Sequence, residues 1–344
     1  MYFQQLLLLI IHKFHGERSS TAPFYLLKGK KSGQTIQDVT YFNLHPFFSL
    51  YPNLSKEEYN VEVSKLLSNE FIEIKESSIS LTEIGFLQMN SMRKPLYNGW
   101  LYRGNEVVFW SRIELVVQTL SNFQADKKQF VPNQKNQLVH QFVKSYLVMK
   151  NFQDSAFVIE FKKQIVQLLA SPIFEDIHRE LFVYRLSGYD KSGMTWEQLA
   201  RNYNLSILDV KLLFIEGLHI ALTAITKERY PDLYALTKDI EVMIPLTDSA
   251  MKTYRLWEKG YSIHEIAEMR FLKINTIEDH IIEMVSIKQD FPIMDFMNEE
   301  QVRKVVQTSK ELQTKKLKRI REQFPELSFF QIRLALTKGE VVNG

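Results

Sequence analysis

Residues 195–214, TWEQLARNYNLSILDVKLLF, and residues 262–281, SIHEIAEMRFLKINTIEDHI, are two copies of one pattern, offset by 67 residues without a gap. Thr195, Gln198, Leu199, Ala200, Leu205, Val210 and Phe214 align with Ser262, Glu265, Ile266, Ala267, Leu272, Ile277 and Ile281. Each copy opens with a hydroxyl residue three places before a Gln or Glu. This is a capping box, in which two side chains satisfy two unpaired backbone donors at a helix start. A small Ala then stands where two helices must approach, and apolar spacing resumes after a short turn, as in a helix-turn-helix. That turn favours a left-handed residue, a conformation Asn204 tolerates. The second copy departs from the pattern by placing Phe271 there. A third capping box, Ser328 with Gln331, precedes Ile332, Leu334 and Leu336.

Outside the repeat, composition sets the class. A chain of 344 residues exceeds the usual size of one hydrophobic core, so two or three domains are expected. The 12 Gly and 10 Pro fall below ordinary usage of about 7% and 5% and disfavour turn-rich β architectures. With no Cys there is no disulfide, thiolate nucleophile or thiolate metal site, which suits a reducing compartment. A cytoplasmic protein is expected. The long apolar run, Leu6 to Ile11, is far short of the roughly 20 residues needed to cross a bilayer. It lacks the basic flank and small-residue cleavage site of a signal peptide, and is expected to be a buried helix face.

The expected fold class is mainly α, with an N-terminal winged helix, a helical middle domain and a C-terminal helix-turn-helix domain. Pro23 suits the first turn of a helix ending near Leu27. Residues 28–33 form a turn, and the next helix opens at Gln34. Ser55 and Glu58 cap a helix expected to run to Asn69. Phe71 to Ile74 and Ile79 to Leu81 alternate as a small β-hairpin, and helix followed by hairpin is how a winged helix ends. The expected divisions are 1-105 for the winged-helix-like domain, 106-245 for the helical middle domain with the first repeat copy, and 246-344 for the second copy with a basic tail. Pro231 and Pro245 bracket the last boundary.

Three segments, SSTAPFYLLKGKKSGQTIQD (19–38), YSIHEIAEMRFLKINTIEDHIIEM (261–284) and SFFQIRLAL (328–336), together resemble the YpbB family of bacterial helix-turn-helix proteins. The last two resemble the helicase helix-turn-helix domain found at the C-terminus of RecQ-type DNA helicases. The resemblance implies a cytoplasmic accessory protein working beside a RecQ-type DNA helicase, supplying in trans a module that other helicases carry in cis.

The charge pattern qualifies a DNA-binding reading. In the usual docking mode the second helix of the motif enters the major groove and offers neutral or basic side chains. From Asn275 to Met284 the charged residues are Glu278, Asp279 and Glu283, facing a duplex that carries one phosphate per roughly 1.7 Å. Only Lys273, Asn275 and Thr276 at the helix start suit a phosphate backbone. The second helix of the first copy is mostly apolar and reads as core, with Asp209, Lys211 and Glu216 as its polar face. The net charge is +3, but residues 303–338 alone carry +7. Lys315, Lys316, Lys318, Arg319 and Arg321 sit within seven residues on an expected helix, with Arg333 nearby. Lys28, Lys30 and Lys31 form a second basic cluster. Each cluster reads either as a phosphate-contacting surface or as a solvated face.

Signatures of catalysis are lacking. A Walker A motif needs a Gly five residues before Gly29-Lys30, where Phe24 stands. Glu175, Asp176, His178 and Glu180 lack metal-ligand spacing and read as a solvated helix face, while His280, with His264 and Glu268, reads as a packing residue rather than a metal ligand. No catalytic residue, metal or cofactor is expected. The leading expectation is a non-enzymatic accessory protein that docks a RecQ-type DNA helicase, with DNA as a further candidate partner through the basic segments. The alternative is a freestanding DNA-binding transcription regulator.

Overall fold

The computed structural model describes residues 2–91, 93–127, 129–243, 246–288 and 290–343. The expected boundary residue Pro245 lies outside the described residues. Helix dominates, with one small two-stranded sheet. In helix α1 (Tyr2–Lys13) the Leu6 to Ile11 run is buried except for half-buried Leu9. Among the described residues, no helix is long and apolar enough to cross a membrane.

Helix α2 (Ala22–Leu27) carries Pro23 in its first turn, where a missing donor removes no intrahelical bond. Helix α3 (Gly33–Tyr41) starts on the Ser32 side chain, which accepts from the Thr35 amide. After a short 3-10 turn (His45–Phe47), helix α4 (Lys56–Ser68) begins at the expected Ser55 and Glu58 capping box. Strands β1 (Ile72–Lys75) and β2 (Ser78–Leu81) pair antiparallel with Ile72 opposite Leu81 and Lys75 opposite Ser78. The two turn residues, Glu76 and Ser77, have φ of 49° and 74°, the left-handed geometry that matches hairpin twist. Ser19 forms a further bridge to Ser78. Helix α5 (Glu83–Asn90) follows on a Thr82 cap.

The middle of the chain is all helical: α6 (Gly99–Tyr102), α7 (Glu106–Gln124), α8 (Gln137–Met149), α9 (Ser155–Leu169), α10 (Asp176–Arg185), α11 (Trp196–Tyr203), α12 (Ile207–Ala224) and α13 (Pro231–Leu236). Pro231 is the first residue of a helix here, not a linker residue. The first repeat copy is α11 and α12, joined through Asn204 at φ 51°. Helix α12 packs against α7, α9, α10 and α11 and is buried on all sides from Leu208 to Leu222 except at half-buried Lys211. It is core, as its apolar sequence predicts.

Of the three residues read as its polar face, Asp209 and Glu216 are buried and Lys211 is half-buried. Asp209 accepts from the Phe3 amide at 2.8 Å. Glu216 receives both Arg93 terminal nitrogens at 2.6 and 2.7 Å and the Leu96 amide at 2.8 Å. Burial alone would raise the Glu216 pKa, but the Arg93, His178 and Leu96 hydrogen bonds outweigh it and hold the carboxyl at about 2. His178 also departs from expectation. It is 2% exposed, with Nε2 3.4 Å from Glu216 and Nδ1 accepting from the Glu175 amide, so a buried carboxylate draws it out of the solvated face.

The C-terminal segment forms α14 (Asp248–Trp257), α15 (Ile263–Met269), α16 (Ile274–Ile287), α17 (Glu299–Glu311), α18 (Leu317–Arg321) and α19 (Phe329–Asn343). The second repeat copy is α15 and α16. Its core is Ile266, Ala267 and Ile277, packed by Leu256, Trp257, Ile263 and Leu272.

The chain divides into two compact units, Met1–Leu6 with Met92–Val242 and Leu7–Ser91 with Met243–Gly344. This differs from the expected succession 1-105, 106-245 and 246-344, because α3 packs directly on α16 and α19. The segments expected as separate first and last domains share one unit.

Phe271 has φ 52° and is 96% exposed. A left-handed bulky residue costs roughly 1–2 kcal/mol, and no burial of the ring offsets that cost. Glycine removes the strain while adding about 0.5–1 kcal/mol of backbone entropy cost. Phe271→Gly should therefore stabilise the unit by about 0.5–1 kcal/mol, read as a rise in thermal midpoint. Asn204→Gly should change it far less.

Candidate docking and nucleic-acid surfaces

From Thr276 to Ile287 no residue of α16 is exposed, while Lys273, Ile274 and Asn275 at its start are. Its inner side, Ile277, Ile281 and Met284, belongs to the core. Two residues between these tie the helix to α14. Glu283 accepts from the Thr247 amide and from its hydroxyl, the latter at 3.0 Å. His280 Nδ1 lies 2.8 Å from the Thr253 hydroxyl, as expected for a packing histidine. Arg270 closes this corner by donating to the Ser249 carbonyl at 2.7 Å and to the Thr253 hydroxyl.

Helix α16 also packs against α3 and α19. Arg333 on α19 is the clamp. Its guanidinium lies 2.7 Å from the Asp279 carboxylate on α16 and donates from Nε to Gln37 on α3 at 3.1 Å. The Arg333 carbonyl accepts from the Tyr41 hydroxyl at 3.0 Å, and Gln37 also bonds Tyr41. Burial raises the Tyr41 pKa far above its ordinary value, so the phenol stays a donor. Gly33 permits the close approach of α3, since a Cβ there would stand 2.9 Å from the Asp279 carboxyl carbon.

A second tie joins the ends of the unit. Glu17 accepts from the Thr314 hydroxyl at 2.7 Å and from the Lys315 amide at 3.0 Å. Beside it Arg18 pairs with Asp38 at 2.8 Å. Burial raises the Asp38 pKa against the opposing pull of Arg18 and Gln34.

These ties sort the basic residues singled out in the sequence. Arg333, read from the sequence as a nucleic-acid contact, has its side chain bonded within the unit, to Asp279 and Gln37. Lys315 is half-buried, with its ammonium 5.7 Å from the Tyr41 ring. Lys28 is half-buried and donates to the Leu54 carbonyl at 3.0 Å. Lys30 is exposed over the Tyr25 ring at 4.1 Å, and Lys31 is exposed. Lys316, Lys318 and Arg319 are exposed, and Arg321 is exposed with its guanidinium 4.4 Å over Phe329. The helix expected across the cluster is shorter than its charges, since α18 covers only Leu317–Arg321, anchored by buried Ile320. Lys273 and Asn275 are exposed and Thr276 is half-buried at the start of α16.

The partner of Asp279, and the roles of Gln37, Tyr41 and Glu17, escaped sequence reasoning. Their partners lie 54, 296, 292 and 297 residues away, and no local pattern announces such pairs. Among the described residues there is no group of three or more His, Cys, Asp or Glu arranged to hold a metal.

A family model described as a helix-turn-helix domain matches residues 249–336. Over 347 residues the chain is 30% identical to Protein YpbB of Bacillus subtilis (strain 168), a match covering 98% of this chain and 97% of that protein. The chain belongs to the YpbB family. No solved structure matches it. The match spans both compact units and includes the first half of the Arg333 clamp as well as the helix-turn-helix that completes it.

If Arg333 serves the clamp, Arg333→Ala should destabilise the unit by about 2 kcal/mol, between the values for exposed and fully buried ion pairs. Thermal unfolding reads this directly. An unchanged midpoint would contradict the clamp.

Burial, and then the Arg270 charge, depress the His280 pKa to about 4 against 6.5 for the free side chain. Between those values the unfolded chain binds the extra proton. Stability is therefore complete above about pH 6.5 and falls as pH drops toward 4. Unfolding midpoints across pH 7 to 4.5 should decline, and His280→Gln should flatten part of that decline.

Proposed function

We propose that this YpbB-family chain is a non-enzymatic accessory protein that works by docking a partner protein, a RecQ-type DNA helicase being the partner the family resemblance implies. One observation carries the reading: the helix of its helix-turn-helix domain that would read bases is packed against α3 and α19 and held there through Asp279 and Arg333. A helix so covered supports the use of the motif as a packing module, since fold alone does not assign function. The closing half of an N-terminal winged helix is supported by α4, the hairpin and the Ser19 to Ser78 bridge. Its helix α4 begins with exposed Glu57 and Glu58, a poor surface for phosphate.

Nucleic acid, on this reading, is held through backbone contacts by Lys316, Lys318, Arg319 and Arg321. Their side chains are exposed and close in sequence, and base recognition is not required of them. The protein would then work in the cytoplasm beside its partner.

Fluorescence anisotropy with forked and duplex DNA at two salt concentrations, with and without the helicase, tests both parts. Four phosphate contacts give a log-log salt slope of roughly −3 to −4. Changing the four cations to Glu should abolish DNA binding and leave helicase co-purification intact. Failure to co-purify at low salt would remove the docking reading. A sequence-specific footprint surviving moderate salt would favour a freestanding transcription regulator instead.

A further inference from the structure

A groove of about 790 Å³ runs along α17. From that helix Glu299, Val302, Arg303, Val306, Gln307 and Lys310 line it, a spacing of threes and fours that places them on one stripe. Eleven steps at about 1.5 Å make roughly 16 Å of helix face, three turns long. The facing wall is the segment from Phe291 to Met294 together with Lys338 and Gly339 of α19. Gly339 sets the depth, because a Cβ there would stand 2.4 Å from Val306.

The floor is apolar, with half-buried Val302 and Val306 and with Met294 61% exposed. The rim is basic. Arg303 and Lys310 are exposed and seven residues apart on the stripe, and Lys338 lies across from them, with Glu299 as the one acidic lining residue among the described residues.

We propose that this groove docks an acidic amphipathic segment of a partner protein, laying its apolar side on Val302, Val306 and Met294 and its carboxylates near Arg303, Lys310 and Lys338. Charge complementarity selects the occupant. Two cations two helical turns apart, flanking an apolar stripe, match a helix carrying carboxylates at the same spacing beside its apolar positions. A nucleic-acid backbone would match the cations and leave the floor unmatched. The flexible thioether of Met294 suits a contact that adapts to side chains. This deepens the docking reading and rests on it only in taking the occupant to be protein.

The test uses the full chain and a labelled synthetic helical peptide of fourteen residues, with Leu along one side and Glu seven residues apart beside it. A control peptide carries Lys in place of Glu. The acidic peptide should bind and the control should not. Arg303→Glu with Lys310→Glu should weaken binding about tenfold, and the neutral Met294→Ser should weaken it with no change in salt dependence. These side chains are exposed, so unchanged thermal midpoints verify folding. Equal binding of the two peptides, or undiminished binding to the charge-reversed variant, overturns the proposal. So does displacement of the peptide by equimolar oleate or single-stranded DNA. No helicase is present, so failure here leaves co-purification with the helicase as a separate result.

Discussion

Arg333 joins its own helix, α19, to two others, α16 and α3, and the make-up of its unit follows from that. Its side chain reaches Asp279 on α16 and Gln37 on α3, while its carbonyl receives Tyr41. A guanidinium with several donors in a fixed plane suits such a junction, where a lysine would supply one point charge. Truncating any partner would leave partly buried polar groups without bonds, which is more costly than the net worth of the bonds themselves. The junction therefore helps hold Leu7–Ser91 and Met243–Gly344 in one unit.

The same junction gives the acidic residues of α16 a structural role. Outward acids on a reading helix predict repulsion from DNA. In the fold Asp279 pairs with Arg333 and Glu283 caps the start of α14 at Thr247, so two of the three negative charges have partners within the unit. The +7 of residues 303–338 divides likewise. Arg333 serves the clamp, Arg303, Lys310 and Lys338 edge the groove, Lys304 pairs with Glu300, Lys315 is half-buried, and Lys316, Lys318, Arg319 and Arg321 face solvent. A single basic tail in the sequence is three surfaces of different kinds in the fold.

Local physics made much of the fold legible. The capping boxes at Ser55, Thr195 and Ser262 each start the helix they predict, because a cap depends on residues three apart. The hairpin follows from alternation over four residues, and the apolar α12 is core. Pairing across hundreds of residues was not legible. Glu216 looks like a polar face until Arg93 arrives from 123 residues away, and Arg333 looks like a DNA contact until Asp279 and Gln37 surround it. Charge in a sequence predicts solvent by default, and the default fails where the fold supplies a partner of opposite sign.

The two repeat copies show how one motif serves two ends. In the first, α12 sits among α7, α9, α10 and α11 and is core. In the second, α16 packs against α3 and α19 as well as α14, so most of its length is likewise absorbed into packing. The turns differ accordingly. Asn204 takes the left-handed turn at little cost, whereas Phe271 takes it under strain with its ring in solvent. A residue unfavourable for both backbone and hydration marks the second motif's turn as the part of the repeat least explained by its own fold, while its helices are already committed to the clamp.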